Sequence, residues 1–484
     1  MSANDRASPE DLQQSALSAG YAHADLTLEQ LWMRYFALGG SADLMDVDAY
    51  VSGLAPFPEG QRDLLAHAVN ERLDELVAPH RVPYTRTIRA GRPKTGPLAA
   101  LVTLLDAAGA APPERLPALA AAAGRLLGVD VTVHRIDHAQ RCLVQLAGRG
   151  ASGTSRLAVE STMAGRAFRT GQVVASDRDG RPCLWVPVLD GADRLGVLEV
   201  RVESAADLYD PTLREQCRWL ASMLGHLVAS MEPYGDGLER PRRARAMSAS
   251  AELIWQQLPP LTAATDSFVL AGRLEPSYDV GGDAFDYALS EQTVSLGIFD
   301  AVGHGIGASL MTAAALAAYR SARRDARGVF DQARAIDDVI SGTFPGSQFV
   351  TGVIGEVDVA SGRLRYVNAG HPPPLLLRDG RVVKELDGGR RVPFGLETGG
   401  LTVAEEILEP GDWLALYSDG ITEARNASGS WFGERRLSEF LTRAIAAGQP
   451  PAETVRRLTT AVLKHQGGLL QDDATILLAR WTRP

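Results

Sequence analysis

Val294-Ser295-Leu296-Gly297-Ile298-Phe299-Asp300-Ala301-Val302-Gly303-His304-Gly305 is the stretch on which the fold turns. The run from Val294 to Phe299 is apolar enough to read as a buried strand. Asp300 closes it. Gly303, Gly305 and Gly307 then lead into an alanine-rich helix over about 306–324. A carboxylate at the end of a buried strand is held by the sheet behind it. Three further stretches have this character: Val280-Gly281-Gly282-Asp283-Ala284-Phe285-Asp286, Tyr417-Ser418-Asp419-Gly420 and Gln471-Asp472-Asp473-Ala474-Thr475. A lone Asp-Gly is ordinarily a turn. The ordered set, each member at a strand edge, points to chemistry.

Converging carboxylates repel, and hard divalent cations relieve that repulsion. Asp283, Asp300, Asp419 and Asp472 are the primary ligand candidates; Asp286, Asp473 and the carbonyl of Ala301 are secondary ones. An all-oxygen set suits Mg²⁺ or Mn²⁺, whereas zinc would want histidine or cysteine. A pair of such ions activates water and clamps phosphoryl oxygens, which is what hydrolysis of a phosphate ester requires.

Outward from these stretches, residues 261–484 carry strand patterns at 268–273, 294–300, 350–357, 363–368, 374–377, 381–384, 413–418 and 474–481. Helical patterns fall at 306–324, 331–342, 435–447 and 452–465. Hairpin signals such as Asp379-Gly380 predict mainly antiparallel sheets with helices outside. Residues 98–230 mix helix (114–127, 160–170 and a long exit helix over 211–230) with strands (131–136, 142–146, 184–188 and 196–200). His134, His138 and Cys142 show no metal-ligand spacing and read as packing residues. Residues 1–80 form a helical module. Thr27 and Gln30 make a capping box, Gly39-Gly40 ends that helix, and helices follow near 47–54 and 64–77, the last closed by Pro79. Residues 1–25 are expected to be poorly ordered. Linkers are expected at 81–97, with Arg81, Arg86, Arg89, Arg92 and Lys94, and at 231–260. The second linker carries a short amphipathic helix over 250–258, stopped by Pro259-Pro260.

The 484 residues suffice for about three domains. A net charge of −10 argues against nucleic acid or an anionic membrane as the main partner. The three cysteines form no CxxC pair, so a reducing cytoplasm fits better than a disulfide scaffold. No signal peptide or membrane span is expected.

The four aspartate stretches, with Asn368-Ala369-Gly370-His371-Pro372-Pro373, Pro393-Phe394-Gly395-Leu396 and Leu416–Thr422, resemble the metal-dependent serine/threonine phosphatases (PPM, protein phosphatase 2C-like) of the bacterial SpoIIE/RsbU type. The resemblance covers 261–484. It implies an α+β fold, with a C-terminal αββα sandwich of two antiparallel sheets and two divalent cations, Mn²⁺ or Mg²⁺, at one edge. Asp300 would bridge both ions with help from the Ala301 carbonyl; Asp283, Asp419 and either Asp472 or Asp473 would complete the set. The Asp-Asn of relatives aligns with Asp472-Asp473 and favours Asp472. Asp300 and Asp419 are the expected catalytic pair. In-line attack by an activated water, with no covalent enzyme intermediate, is implied. So is a phosphorylated STAS-type anti-sigma-factor antagonist as substrate. Eukaryotic members place Asp-Gly-His directly after the bridging aspartate; here His304 comes four residues later, and the general-acid role is not carried over. Residues 98–230 are similar to a GAF sensor domain, which implies a small-molecule or protein signal. The helices expected over 211–230 and 250–258 are candidates to pair between two subunits, which makes a homodimer the expected assembly. The competing readings are a scaffold with a decayed phosphatase domain and a metal nuclease; the intact aspartate set opposes the first and the charge opposes the second.

Overall fold

The computed structural model describes residues 8–76, 82, 95–147, 155–178, 181–279, 281–344, 346, 348–396, 400–468 and 470–482. The five basic residues expected in the first linker lie outside the described residues, as does Pro79. The chain divides into two compact units, Met1–Ala99 and Ala100–Pro484.

Helices Pro9–His23, Leu28–Ala37, Leu44–Val51 and Glu59–Glu75 surround a core that includes Leu17, Leu31, Tyr35, Val47, Leu65 and Val69 in the first unit. Thr27 and Gln30 cap the second helix reciprocally. The expectation of disorder over 1–25 fails from Ser8 onward. Ser8 and Asp11 form a second capping box, with Pro9 in the first turn. The apolar stripe of this helix is faint because Gln13 and Gly20 share its buried face with Leu17.

In the second unit, a six-stranded antiparallel sheet runs in the order Arg156–Ala158, Cys142–Gln145, Asp130–Ile136, Asp193–Arg201, Arg181–Asp190, Val174–Arg178. Its two outermost strands are absent from the sequence reading. They are short, and Val-Ala-Ser-Asp-Arg has no apolar alternation. Helices Leu116–Leu126 and Pro211–Met231 cover one face through Leu119, Leu220 and Leu224 against Leu184, Val186 and Val200. Gly225 is needed in the long helix: a Cβ there would stand 1.9 Å from the Leu189 carbonyl oxygen.

Two more six-stranded sheets follow. The first runs Arg390–Arg391, Arg363–Ala369, Val350–Asp358, Thr293–Ala301, Asp283–Leu289, with Ala404–Ile407 also on Arg363–Ala369. The second runs Arg381–Glu385, Leu375–Arg378, Trp413–Tyr417, Ala474–Trp481, Phe268–Glu275, Thr262–Ala264. Their inner faces share one core, where Phe285, Leu296 and Ile298 meet Phe268, Leu270 and Leu477. Helices Ile306–Arg324 and Val329–Thr343 cover the first sheet, and Gly433–Ala446 and Pro451–His465 cover the second. This is a helix–sheet–sheet–helix sandwich. The strand Asp283–Leu289 is not among the strand ranges expected from the sequence, which places Asp283 at a strand edge after the Gly-Gly turn, because Asp283 and Asp286 interrupt its apolar pattern.

The central sheet seats on the second sheet's helix layer through charged contacts. Arg194 donates to the Ala452 carbonyl at 2.8 Å, and Arg456 reaches both Glu160 (2.6 Å) and Glu453 (2.8 Å). Arg273, fully buried, donates to the His138 carbonyl at 2.8 Å. Helix Ala249–Gln257 packs on helix Ile306–Arg324.

Gly225→Ala should push the long helix off its sheet and cost about 1–3 kcal/mol. Urea titration followed by tryptophan fluorescence would show the lowered midpoint.

Candidate metal centre

Asp283 and Asp300 are Cα partners on adjacent antiparallel strands, so their side chains leave the same face of the first sheet. Asp300 also stands opposite Thr351. The second sheet supplies the other two acids. Asp419 opens a single helical turn behind Trp413–Tyr417, and Asp472 lies just before Ala474–Trp481. These segments are locked together. Ser418 N–H donates to the Thr475 carbonyl at 2.9 Å, and Thr475 N–H donates to Ser418 Oγ at 2.9 Å. Gly420 lets them close, since a Cβ there would stand 1.9 Å from the Asp473 carbonyl oxygen.

The carboxylates sense one another across both sheets. Burial raises the Asp283 carboxyl well above its ordinary range, and the charges of Asp300 and Asp473 add to the effect. Asp300 is raised by burial, then by Asp419, Asp472 and Asp473. Asp419 is raised by burial, then by Asp472 and Glu423. Among the described residues, none of Asp283, Asp300, Asp419 or Asp472 is ion-paired with lysine or arginine. Asp283 Oδ2 is buried with no hydrogen-bond partner. The carbonyl of Ala301 faces Gly282, where a Cβ would approach it to 2.8 Å, so a side chain at this position would crowd that oxygen.

An uncompensated set of oxygen donors with one orphaned carboxylate oxygen fits hard divalent cations. Among the described residues no three acidic, histidine or cysteine side chains already converge at the spacing of a single ion.

Two secondary candidates have other partners. Asp286 is ion-paired with Arg320 at 2.7 Å and Arg323 at 2.9 Å, and this removes it from the ligand set. Asp473 Oδ2 accepts three backbone N–H groups, from Gly281 (2.7 Å), Gly282 (2.7 Å) and Asp283 (3.2 Å). His304 is exposed. His371 is buried with Nδ1 2.9 Å from Thr351 Oγ1, and burial lowers its pKa to about 3, so it packs as a neutral ring. Asn368 holds the same turn through both of its side-chain polar atoms.

Ser309 and Thr312 were missed. Ser309 Oγ donates to the Gly281 carbonyl at 2.7 Å, and Thr312 Oγ1 donates to the Gly282 carbonyl. Their signal was available: two fully buried hydroxyls three residues apart in the first turns of an otherwise alanine-rich helix.

Residues 290–482 match the family model described as Stage II sporulation protein E (SpoIIE). This part of the chain is similar to SpoIIE-family domains. The chain is 25% identical over 233 residues to Protein IcfG of Synechocystis sp. (strain ATCC 27184 / PCC 6803 / Kazusa), covering 42% of this chain and 36% of that one. It is 24% identical over 216 residues to the phosphoserine phosphatase RsbU of Bacillus subtilis (strain 168), covering 42% and 61%. The chain thus spans about a third to three fifths of these relatives. Among solved structures, the RsbU and RsbW domains of Rv1364c from Mycobacterium tuberculosis are similar at 29% identity, with 45% and 62% coverage and a TM-score of 0.39. Asp300, Asp419 and Asp472 lie inside the SpoIIE match. Asp283 precedes it, so its place in the centre rests on the strand register.

His371 supplies a pH test. Its folded pKa is about 3 against 6.5 for the free side chain, so the unfolded chain binds a proton that the folded chain does not. Stability is full above about pH 6.5 and falls as pH drops toward the folded value, by about 2 kcal/mol at pH 5. His371→Gln should flatten the decline of the melting temperature between pH 7 and pH 5.

Proposed function

We propose that the chain is a metal-dependent protein serine/threonine phosphatase acting on a phosphorylated STAS-type anti-sigma-factor antagonist. The observation that carries this reading is the set of four aspartates contributed by two sheets. Asp283 is buried, Asp300 and Asp419 are half-buried and Asp472 is exposed; the four have no ion-pair partner among the described residues and include one orphaned oxygen. Asp300 would contact both cations, Asp283, Asp419 and Asp472 would complete their shells, and the Ala301 carbonyl would assist. The cations supply Lewis-acid activation of water and of the phosphoryl oxygens. The chain itself contributes geometry. Strand pairing holds Asp283 beside Asp300, and the Ser418–Thr475 bonds hold Asp419 beside Asp472. Phe299 and Ala284, fully buried behind them, keep water out on the sheet side, where low polarizability strengthens every charge interaction. The name of the Bacillus RsbU protein, a phosphoserine phosphatase, supports the reaction class, and the motif resemblance supports the STAS substrate.

The upstream part is proposed to be a GAF-like sensor within a domain order of 1–80, 98–230 and 261–484. Its charged seat on helix Pro451–His465 supports a regulatory role, because that helix leads into Asp472. The exposed Trp219 on helix Pro211–Met231 suits pairing in a homodimer. No described helix is long and apolar enough to cross a membrane. A cytoplasmic setting suits the free state of Cys142, Cys183 and Cys217.

Asp300→Asn and Asp419→Asn should each lower Mn²⁺-dependent phosphate release from a phosphorylated STAS protein by at least about a hundredfold, with the melting curve retained. Wild-type turnover in both would end the assignment. Arg194→Ala in the full chain should alter the turnover number by cutting the seat on helix Pro451–His465. An unchanged rate in a folded variant would count against regulation through this seat.

A further inference from the structure

We propose that Asp473 is a positioning residue of the metal centre and not one of its ligands; the inference rests on the phosphatase reading. Its carboxylate fixes the Gly281–Asp283 turn, and its backbone ties that turn to the segments bearing Asp419 and Asp472.

The turn that delivers Asp283 has no side chain of its own to anchor it at Gly281 and Gly282. A side chain would clash at Gly282 and fit tightly at Gly281. A Cβ on Gly282 would stand 2.8 Å from the Ala301 oxygen, and one on Gly281 would stand 3.2 Å from Gly305 N. The turn is therefore held by its peptide groups. Three successive N–H groups converge on Asp473 Oδ2, an anion cradle built from backbone donors. From the opposite side, Ser309 and Thr312 donate to the carbonyls of Gly281 and Gly282. With three donors, Asp473 Oδ2 is committed to the turn. These charge-assisted bonds are stronger than neutral ones and set the direction in which Asp283 leaves the backbone.

The rest of Asp473 reaches the other acids. Its N–H donates to Asp472 Oδ1 at 2.9 Å, which orients that carboxylate. Its carbonyl accepts from Ser418 Oγ at 3.3 Å and lies against Gly420, on either side of Asp419. One residue thus contacts the segments carrying three of the four ligand candidates. Outer groups of this kind typically govern metal affinity by about 10–100-fold.

The test compares Asp473→Asn with Asp473→Ala in the full-length chain. Mn²⁺ affinity would be read from the electron paramagnetic resonance of the free ion. Hydrogen exchange would be read by mass spectrometry on the peptide spanning 281–283. Asparagine keeps an acceptor for the turn; alanine keeps none. The expected result is a dissociation constant raised less than about tenfold by Asn and about 10–100-fold by Ala. Exchange at the turn should quicken in the same order, and turnover should return in both variants at saturating Mn²⁺. Equal loss in the two variants, with turn exchange unchanged, would make Asp473 a direct ligand and overturn the inference while leaving the phosphatase intact. Wild-type affinity in Asp473→Ala would overturn it as well. If the alanine variant does not fold, Ser309→Ala replaces it: faster turn exchange with weakened Mn²⁺ binding supports the clamp, and unchanged values overturn it. Absence of Mn²⁺ binding by the wild-type chain would remove the phosphatase reading, and this inference with it.

Discussion

Buried carboxylates crowd one edge of the two C-terminal sheets, and burial removes the water that would otherwise screen them. Such a group is tolerated only where the surrounding backbone leaves it nowhere else to go. The sandwich provides that constraint. Asp283 and Asp300 cannot separate without breaking the strand pair that carries them, and that pair is packed against the opposite sheet through Phe285 and Ile298. Asp419 and Asp472 are held by reciprocal bonds between Ser418 and Thr475. The repulsion is a strain held by the sheets, and a cation of the right charge is its natural relief.

Much of this was legible because the strands that bear the acids are buried on both faces. A strand such as Val294–Phe299, pressed between a helix layer and a second sheet, must be apolar throughout, and Asp300 stands out at its end. Asp283 was harder to read as part of a strand. Its strand alternates acids with aromatics, and Asp286 points to Arg320 and Arg323 and not to the centre. A carboxylate in sequence does not reveal which face of the sheet it leaves; register does. The division of labour within Asp472-Asp473 was equally hidden, since it depends on backbone donors far away in sequence.

The N-terminal helix Pro9–His23 was lost for a different reason. Its capping signal, Ser8 with Asp11, was present, but its buried face is partly glutamine and glycine. Hydrophobic periodicity registers side chains that are apolar, not those that are merely buried. The weak outer strands of the central sheet, Arg156–Ala158 and Val174–Arg178, form because a neighbouring strand offers a partner, and not through their own propensity.

The charged seat between the central sheet and helix Pro451–His465 bears on how the catalytic half can be isolated. Cutting the chain before residue 261 would leave Arg273 without the His138 acceptor and Glu453 without Arg194, both in surfaces shaped for occlusion. Glu453 would keep Arg456 and Arg273 would keep Glu275, so the cut would thin these networks and not empty them. An excised fragment would then differ from the same residues in the intact molecule even before any signal is considered. Its behaviour would report the loss of a neighbour as well as the loss of a regulator.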